Sequence, residues 1–224
     1  MTYELEKLFR EWEADNLNHG NNHFIDDGIV NESVWAEQKV KICFFLKEAY
    51  LSDEDKKNGL KWNLVKDTLN NGIIKKMWHS VAEWTYGGLN TTETVIPVYH
   101  NLTYEEKSDA LRKIAVVNVK KSDGKPGSSW DNLVEVVNRD KCFIRKEIEI
   151  IKPDVLICGN NASLLRTIYD DKLTESEQLK KGDFGWIDDM LIIDFYHPAN
   201  LFPKFMNYYT LCAIYQQALK ERSK

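Results

Sequence analysis

The sequence predicts an α/β fold in which helices cover both faces of a parallel sheet. Four short apolar runs show no period-2 alternation, and the longer segments between them have helical periodicity. The runs cover residues 42–46, 114–117, 155–158 and 191–193. Strands buried on both faces have this pattern, so we expect the four runs to lie side by side. Each run is followed closely by polar residues, namely Lys47-Glu48, Asn118, Gly159-Asn160, and Asp194 with His197. Ligands of such sheets bind at the carboxyl ends of the strands.

The segments between the runs predict the helices. Leu5, Leu8, Phe9 and Trp12 have helical spacing, which predicts a helix over 3–16. Acids after Ser52 favour another helix start. The remaining predicted helices are 60–69, 73–84 ending at Gly87-Gly88, 104–113, 130–151 and 205–222. Turn formers over 122–129 predict a loop.

Composition sets mild bounds on function. The chain has 224 residues, which suits a single domain over 1–224, with 1–38 as an N-terminal helix and loop packing on the core. A net charge of −5 argues against a protein that coats nucleic acid through bulk positive charge. The sequence has no apolar stretch of ~20 residues and no signal-peptide pattern, so we expect a cytoplasmic protein without a membrane partner.

The cysteines and histidines predict no metal site. Cys43, Cys142, Cys158 and Cys212 form no C-x-x-C pair, and two of them fall in predicted buried strands. Free cysteines of this kind behave as small buried hydrophobes. His19 and His23 share a Gly/Asn-rich segment that contains no partner motif. We therefore expect neither a metal nor a cofactor.

Three polar groups at strand ends could carry chemistry or could be structural. Glu48 follows an apolar run, and a desolvated carboxylate there could orient a water or stabilise a cation. His197 precedes Pro198, which holds the chain out of a helix. Asn118 lies among buried apolar residues, where its amide must find a partner in the backbone or in a ligand.

Weaker candidates lie nearby in the sequence. Gly159-Asn160 precedes a helix and could bind an anion. The pair Lys120-Lys121, with Lys125, is typical of a solvated face but could hold phosphates. Asp26 and Asp27 are rival carboxylates if their segment folds over the cleft, although solvated loop acids are the favoured interpretation.

Four blocks, in order, resemble motifs of the uracil-DNA glycosylase superfamily. Residues 47–55, Lys-Glu-Ala-Tyr-Leu-Ser-Asp-Glu-Asp, resemble its G-E-A-P-G-x-x-E-D motif. Residues 117–121 followed by 124–127 resemble its N-V-x-K segment and proline- and glycine-rich loop. Cys142 and residues 152–162 resemble its C-x-x-x-L-x-x-x-I and P-x-x-I-x-x-L-G-x-x-A stretch, and residues 197–201 resemble H-P-S-P-L. The resemblance spans roughly residues 39–201 and implies a three-layer α/β/α domain with a short central four-stranded parallel sheet.

The resemblance also implies a role for each block. Glu48 would position the water and stabilise an oxocarbenium-like sugar, and His197 would donate a hydrogen bond to the pyrimidine O2. Asn118 would read the edge of a flipped base, and Leu201 would fill the gap left in the duplex. Tyr50 would wall the base pocket, where Asn160 is a further substrate-binding candidate. The implied DNA-backbone contacts are Lys120, Lys121, Ser122 and Lys125.

The sequence departs from the family at two positions beside Glu48. Lys47 replaces the glycine of the motif and Tyr50 replaces its proline, so the substrate could be uracil or a modified cytosine. The cysteine pair of the iron–sulfur members is absent, and we expect no cluster. The predicted protein is a monomeric DNA glycosylase that leaves an abasic site, acting in DNA repair or in antiviral defence against phage DNA.

Two alternatives remain open at this stage. One is a catalytically inactive DNA reader that keeps the base pocket. The other is an unrelated α/β hydrolase or nucleotide-binding domain, which the sequence disfavours because it has neither a nucleophile elbow nor a P-loop.

Overall fold

The protein is an α/β protein whose six-stranded, mixed and mostly parallel sheet is flanked by helices. A computed structural model describes residues 2–19, 23–49, 63–72, 77–122, 129–172 and 182–223. The strands are β1 (Gly28–Ile29), β2 (Ile42–Glu48), β3 (Ile114–Lys120), β4 (Val155–Gly159), β5 (Phe184–Ile187) and β6 (Met190–Phe195). They are arranged in the order β1-β3-β2-β4-β6-β5.

The four predicted strands form the middle of this sheet. β3, β2, β4 and β6 are neighbours in that order, and every pairing among them is parallel, which confirms the prediction. Two antiparallel edge strands, β1 beside β3 and β5 beside β6, were not predicted. β1 has two residues and β5 has four, so neither is long enough to show a periodic pattern.

The helices agree with most of the predicted segments. They are α1 (Tyr3–Asn18), α2 (Glu32–Ala36), α3 (Met77–Asn90), α4 (Tyr104–Arg112), α5 (Trp130–Ile151), α6 (Leu165–Ile168) and α7 (Lys204–Arg222). A π-helical turn covers Val65–Leu69, within the predicted helix 60–69. A capping box of Thr103 and Glu106 fixes the start of α4. The helix start predicted at Ser52 and most of the predicted loop, 123–128, lie outside the described residues.

Each face of the sheet carries its own apolar core. Trp84 of α3, Leu111 of α4 and Leu211 of α7 belong to one core. The other core contains Trp12 of α1 and Ile144 of α5. The consecutive residues Phe44 and Phe45 of β2 are both fully buried, one in each core. The absence of alternation in the sequence of β2 is therefore explained by burial on both faces.

Gly87 and Gly88 do not end a helix, so this prediction was wrong. Both lie inside α3, which continues to Asn90. A Cβ on Gly87 would lie 2.6 Å from Cys212 Sγ and 2.7 Å from Tyr208 Cε2, both on α7. Gly87 therefore allows α3 and α7 to pack closely. In the sequence, a glycine needed for close helix packing looks the same as a glycine that ends a helix.

Replacing Gly87 by alanine should destabilise the protein by about 1–2 kcal/mol, because crowding against α7 outweighs the gain in helix propensity. Gly88→Ala is the matched control, since its Cβ would meet a single methyl, Ile42 Cδ1, at 3.1 Å. Urea unfolding of both variants measures the difference. Equal stability of the two would show that Gly87 is not a close-packing position.

The order of the parallel strands marks one crevice. The chain passes from β2 to β3 on one side, then crosses to β4 on the other side of β2. Such a reversal opens a gap at the carboxyl ends of the two diverging strands, here β2 and β4. Glu48 ends β2 and Gly159 ends β4. Among the residues described, no helix combines the length and apolarity needed to cross a bilayer.

Candidate active site

Glu48 and Lys120 are neighbours at the carboxyl edge of the sheet. They are paired in the β2–β3 register, so their side chains share one face of the sheet. Lys120 Nζ lies 3.3 Å from Glu48 Oε2, and the Glu48 side chain is only 8% exposed. Lys120 Nζ also donates to Asn132 Oδ1 at 3.1 Å. The carboxylate is therefore largely removed from water, and among the described residues its ion-pair partner is Lys120.

Asn118 is buried in β3, two residues before Lys120, and is hydrogen-bonded to Asp27. Its backbone N–H donates to Asp27 Oδ2 at 2.7 Å, and its side-chain Nδ2 donates to the same oxygen at 3.0 Å. The sequence left backbone capture and ligand binding open for this amide. In the structure the partner is neither backbone nor ligand but the side-chain carboxylate of Asp27, 91 positions away in the sequence. The expectation that Asp27 is a solvated loop acid was wrong, since Asp27 is 1% exposed.

Lys121 lies inside the protein, which contradicts its predicted contact with DNA phosphates. Its side chain is fully buried, and Nζ bonds to Asp27 Oδ1 and to Glu147, whose Oε2 is 2.7 Å away. The ammonium also lies 5.2 Å and 5.1 Å from the ring centroids of Phe9 and Trp12 in α1. A cation enclosed in this way cannot reach a phosphate in solvent.

Burial and the neighbouring charges shift the pKa values within this network. Burial tends to lower the pKa of Lys121, but Asp27 and Glu147 outweigh it and the pKa is raised. Burial, and after it Asp27, raises the pKa of Glu147 well above its ordinary value. Lys121 is therefore held as an ammonium between two acidic side chains, and the ionised form of Glu147 is disfavoured.

Ser122 also departs from its predicted role. It is 5% exposed, and its backbone forms an isolated antiparallel bridge with Phe24. Like Lys121, it is covered by protein rather than placed on a DNA-binding surface. Tyr50 and Lys125 lie outside the described residues.

His197 lies on the loop after β6 with one ring nitrogen already engaged. Its Nδ1 is 3.2 Å from the Ala199 backbone N–H, which can only donate. Nδ1 is therefore the acceptor, and the neutral ring carries its proton on Nε2. Burial and then the charge of Lys47 lower the pKa of His197, which favours this neutral form. The ring is thus a neutral Nε2 donor near pH 7.

Asn200 organises the same loop, a role that was not predicted. Its Nδ2 donates to the His197 carbonyl at 2.8 Å. Its Oδ1 accepts from the Phe202 N–H at 3.0 Å and from Asn207 Nδ2 at 2.8 Å. These bonds tie the loop to α7 and leave the Leu201 side chain 100% exposed. The sequence signal was available, because Asn commonly bonds to nearby backbone in turns.

Gly159 makes room for His197 to pack against the strands. A Cβ there would lie 2.9 Å from Leu46 Cδ2 and 3.5 Å from His197 Cδ2. The next residue, Asn160, is exposed and left-handed at φ 63°, and its N–H donates to the Phe195 carbonyl at 2.7 Å. This geometry assigns Gly159 to close packing, and substrate binding by Asn160 stays a prediction.

Asp26, the residue before Asp27, is a second carboxylate and is half-buried. Asn63 Nδ2 donates to Asp26 Oδ2 at 3.3 Å. Burial, followed by the charge of Asp27, raises the pKa of Asp26. Within the described ranges no group of three His, Cys, Asp or Glu side chains is arranged to hold a metal ion.

The carboxyl edge therefore combines complementary groups. Glu48 offers negative charge in a partly desolvated position, and His197 offers a neutral donor on the far side of β4 from β2. A reaction that places positive charge on one part of a substrate and negative charge on another would be stabilised by such a pair. No family model and no curated protein matches this chain.

Proposed function

We propose that the protein is a DNA glycosylase of the uracil-DNA glycosylase type, which hydrolyses the N-glycosidic bond of a flipped pyrimidine and leaves an abasic site. One observation carries this proposal: a single short loop holds a neutral, Nε2-protonated His197 and projects a fully exposed Leu201 four residues later. Base excision requires a donor for the departing base and a wedge for the gap in the duplex. The four central parallel strands and the helices on both faces suit this fold.

The chemistry follows from the charges at the site. The C1′–N bond breaks and its electron pair leaves with the pyrimidine, where His197 Nε2–H donates a hydrogen bond to O2. Glu48 stabilises the cationic sugar and accepts a proton from the water whose oxygen bonds to C1′. Lys120 lies 3.3 Å from Glu48 and places a positive charge beside the carboxylate before substrate binds.

The test is strand scission by hot alkali after incubation with DNA. Duplex and single-stranded oligonucleotides would carry uracil, 5-hydroxymethylcytosine or glucosylated cytosine. We expect alkali-labile sites at one or more of these bases, and His197→Ala should reduce them strongly while the protein remains folded. Scission at none of the bases would refute the proposal.

Replacing Leu201 by alanine should leave stability unchanged, because the side chain contributes no buried area. Excision from duplex DNA should fall by roughly tenfold, about the loss of one apolar contact that supports unstacking. Excision from single-stranded DNA should change little. An equal loss on both substrates would contradict the wedge role.

Replacing Lys47 by glutamine should raise the pKa of His197, because removal of a like charge favours the imidazolium. The pKa of His197 is lower in the folded protein than in the unfolded chain. The folded protein therefore loses stability as the pH falls below the pKa of the unfolded chain, near 6.5. The loss levels off below the folded pKa. NMR titration of the imidazole measures the shift, with Lys39→Gln, at the amino end of β2, as control. An unshifted His197 would contradict the Lys47 effect.

A non-catalytic base-binding protein of the same fold is the second candidate. The ion pair between Lys120 and Glu48 favours it, because a paired carboxylate is less available to water. This candidate predicts tight, base-dependent binding to oligonucleotides with no alkali-labile site. Scission that depends on Glu48 would exclude it.

A further inference from the structure

Asp27 is a buried carboxylate that the proposed reaction does not use. It comes from the segment before β1, which pairs with the outer edge of β3. Its Oδ1 contacts the Lys121 ammonium, and its Oδ2 accepts both hydrogen bonds from Asn118. Its position thus connects a buried ion pair to the amide proposed to read the base.

The contact with Asp27 fixes which way the Asn118 amide faces. An ionised carboxylate can only accept hydrogen bonds. The amide atom 3.0 Å from Asp27 Oδ2 must then be Nδ2, because an oxygen there would face an oxygen. A charge-assisted bond holds this orientation more firmly than a neutral one. Within the part of the chain that the structure describes, Asn118 Oδ1 accepts no hydrogen bond and Nδ2 donates only to Asp27.

The direction of an amide determines which pyrimidine edge it matches. Uracil offers an N3–H donor beside the O4 acceptor, whereas cytosine offers an N3 acceptor beside the N4–H donor. An asparagine with its carbonyl and amine in fixed places complements one of these edges, and rotation by 180° makes it complement the other. A site that anchors O2 through His197 therefore chooses between the two bases by the rotamer of Asn118.

We propose that Asp27 is a positioning residue that locks the Asn118 amide in one orientation and thereby determines which pyrimidine edge the site accepts. This inference rests on the proposed glycosylase function. Lys121 supports it indirectly, since its ammonium holds the Asp27 carboxylate in place. The N-terminal segment thus contributes to base choice without touching the base.

The test compares bases that differ only at this edge. Uracil is paired with cytosine, and 5-hydroxymethyluracil with 5-hydroxymethylcytosine, each in the same single-stranded oligonucleotide. In the Asp27→Asn variant, the side-chain oxygen of residue 27 stays toward the Lys121 ammonium and its nitrogen faces Asn118. The Asn118 side-chain amide then turns its oxygen toward that nitrogen, and the Asn118 backbone N–H loses its acceptor. The ratio of kcat/KM within each pair should fall about ten- to a hundredfold, or invert.

The matched control is Glu147→Gln, which alters the same buried network without touching Asn118. It should change stability but leave both ratios unchanged. If Asp27→Asn fails to fold, the double variant Asp27→Leu/Lys121→Met removes the ion pair and the acceptor of Asn118 together and should give the same loss of selectivity. In protein labelled with ¹⁵N-asparagine, the Asn118 side-chain protons should exchange slowly in the wild type and faster in Asp27→Asn.

The possible outcomes separate the two proposals. A wild type that cleaves neither these four bases nor glucosylated cytosine, in single-stranded or duplex DNA, refutes the glycosylase function, and base selection by Asp27 with it. An active wild type whose selectivity survives in Asp27→Asn refutes only the positioning role. An equal loss of selectivity in Glu147→Gln also refutes it, since the effect would then be general destabilisation. A loss confined to the Asp27 variants supports it.

Discussion

Replacing Glu48 by glutamine should lower the rate of base excision by roughly 10²–10⁴-fold, as expected for loss of a group that both takes a proton and stabilises charge. Glutamine has nearly the same shape and can still accept a hydrogen bond from Lys120. Stability should therefore fall by less than the loss of about 3–5 kcal/mol that removal of one partner of a fully buried pair causes. Single-turnover kinetics on the preferred oligonucleotide measures the rate.

A binding measurement distinguishes a loss of catalysis in Glu48→Gln from a loss of folding or of DNA binding. Glu48→Gln should bind the same oligonucleotide about as tightly as the wild type, because the variant removes a transition-state interaction. Glu37→Gln, an exposed glutamate at the amino end of the sheet, is the control and should keep full activity. A Glu48→Gln enzyme within threefold of the wild-type rate would remove Glu48 from the mechanism.

Replacing Lys121 by methionine should destabilise the protein by about 3–5 kcal/mol, which is the largest stability effect we expect. The change leaves the buried Asp27 carboxylate without its cation, and it removes the contacts of the ammonium with Phe9 and Trp12. Urea unfolding followed by tryptophan fluorescence measures the loss.

The adjacent lysine provides the matched control. Lys120 is 17% exposed, whereas the Lys121 side chain is fully buried, so Lys120→Met should cost clearly less than Lys121→Met. The double variant Asp27→Asn/Lys121→Met should recover part of the stability lost in Lys121→Met, because no unpaired charge remains. Equal losses in the two single lysine variants would contradict the buried network.

The different environments of these adjacent lysines could not be predicted from the sequence. The central strands were predicted because burial on both faces leaves an apolar run, as at Phe44 and Phe45. The sequence predicts that Lys120 and Lys121 both contact the DNA backbone, yet successive residues of a strand point to opposite faces. The partners that bury Lys121, Asp27 and Glu147, lie 94 and 26 positions away. Local patterns carry no information about such distant partners.

The candidate site was predictable to a similar extent. Glu48, Asn118 and His197 were found because polar residues at the ends of parallel strands meet at one edge. The loop geometry that gives His197 its tautomer depends on Asn200 and on a contact with Gly159, which only the folded chain defines. The motif resemblance predicts that Leu201 fills the gap in the duplex, and the Leu201 side chain is fully exposed, as that role requires.

The two antiparallel strands at the sides of the sheet also bear on aggregation. An open parallel sheet presents unpaired backbone groups at each edge, and these can recruit another chain. Here β1 is two residues long, β5 is four, and Arg222 of α7 stacks over Trp186 in β5 at 5.3 Å. The long, apolar central strands are thus flanked by edges too short to template the growth of an intermolecular sheet.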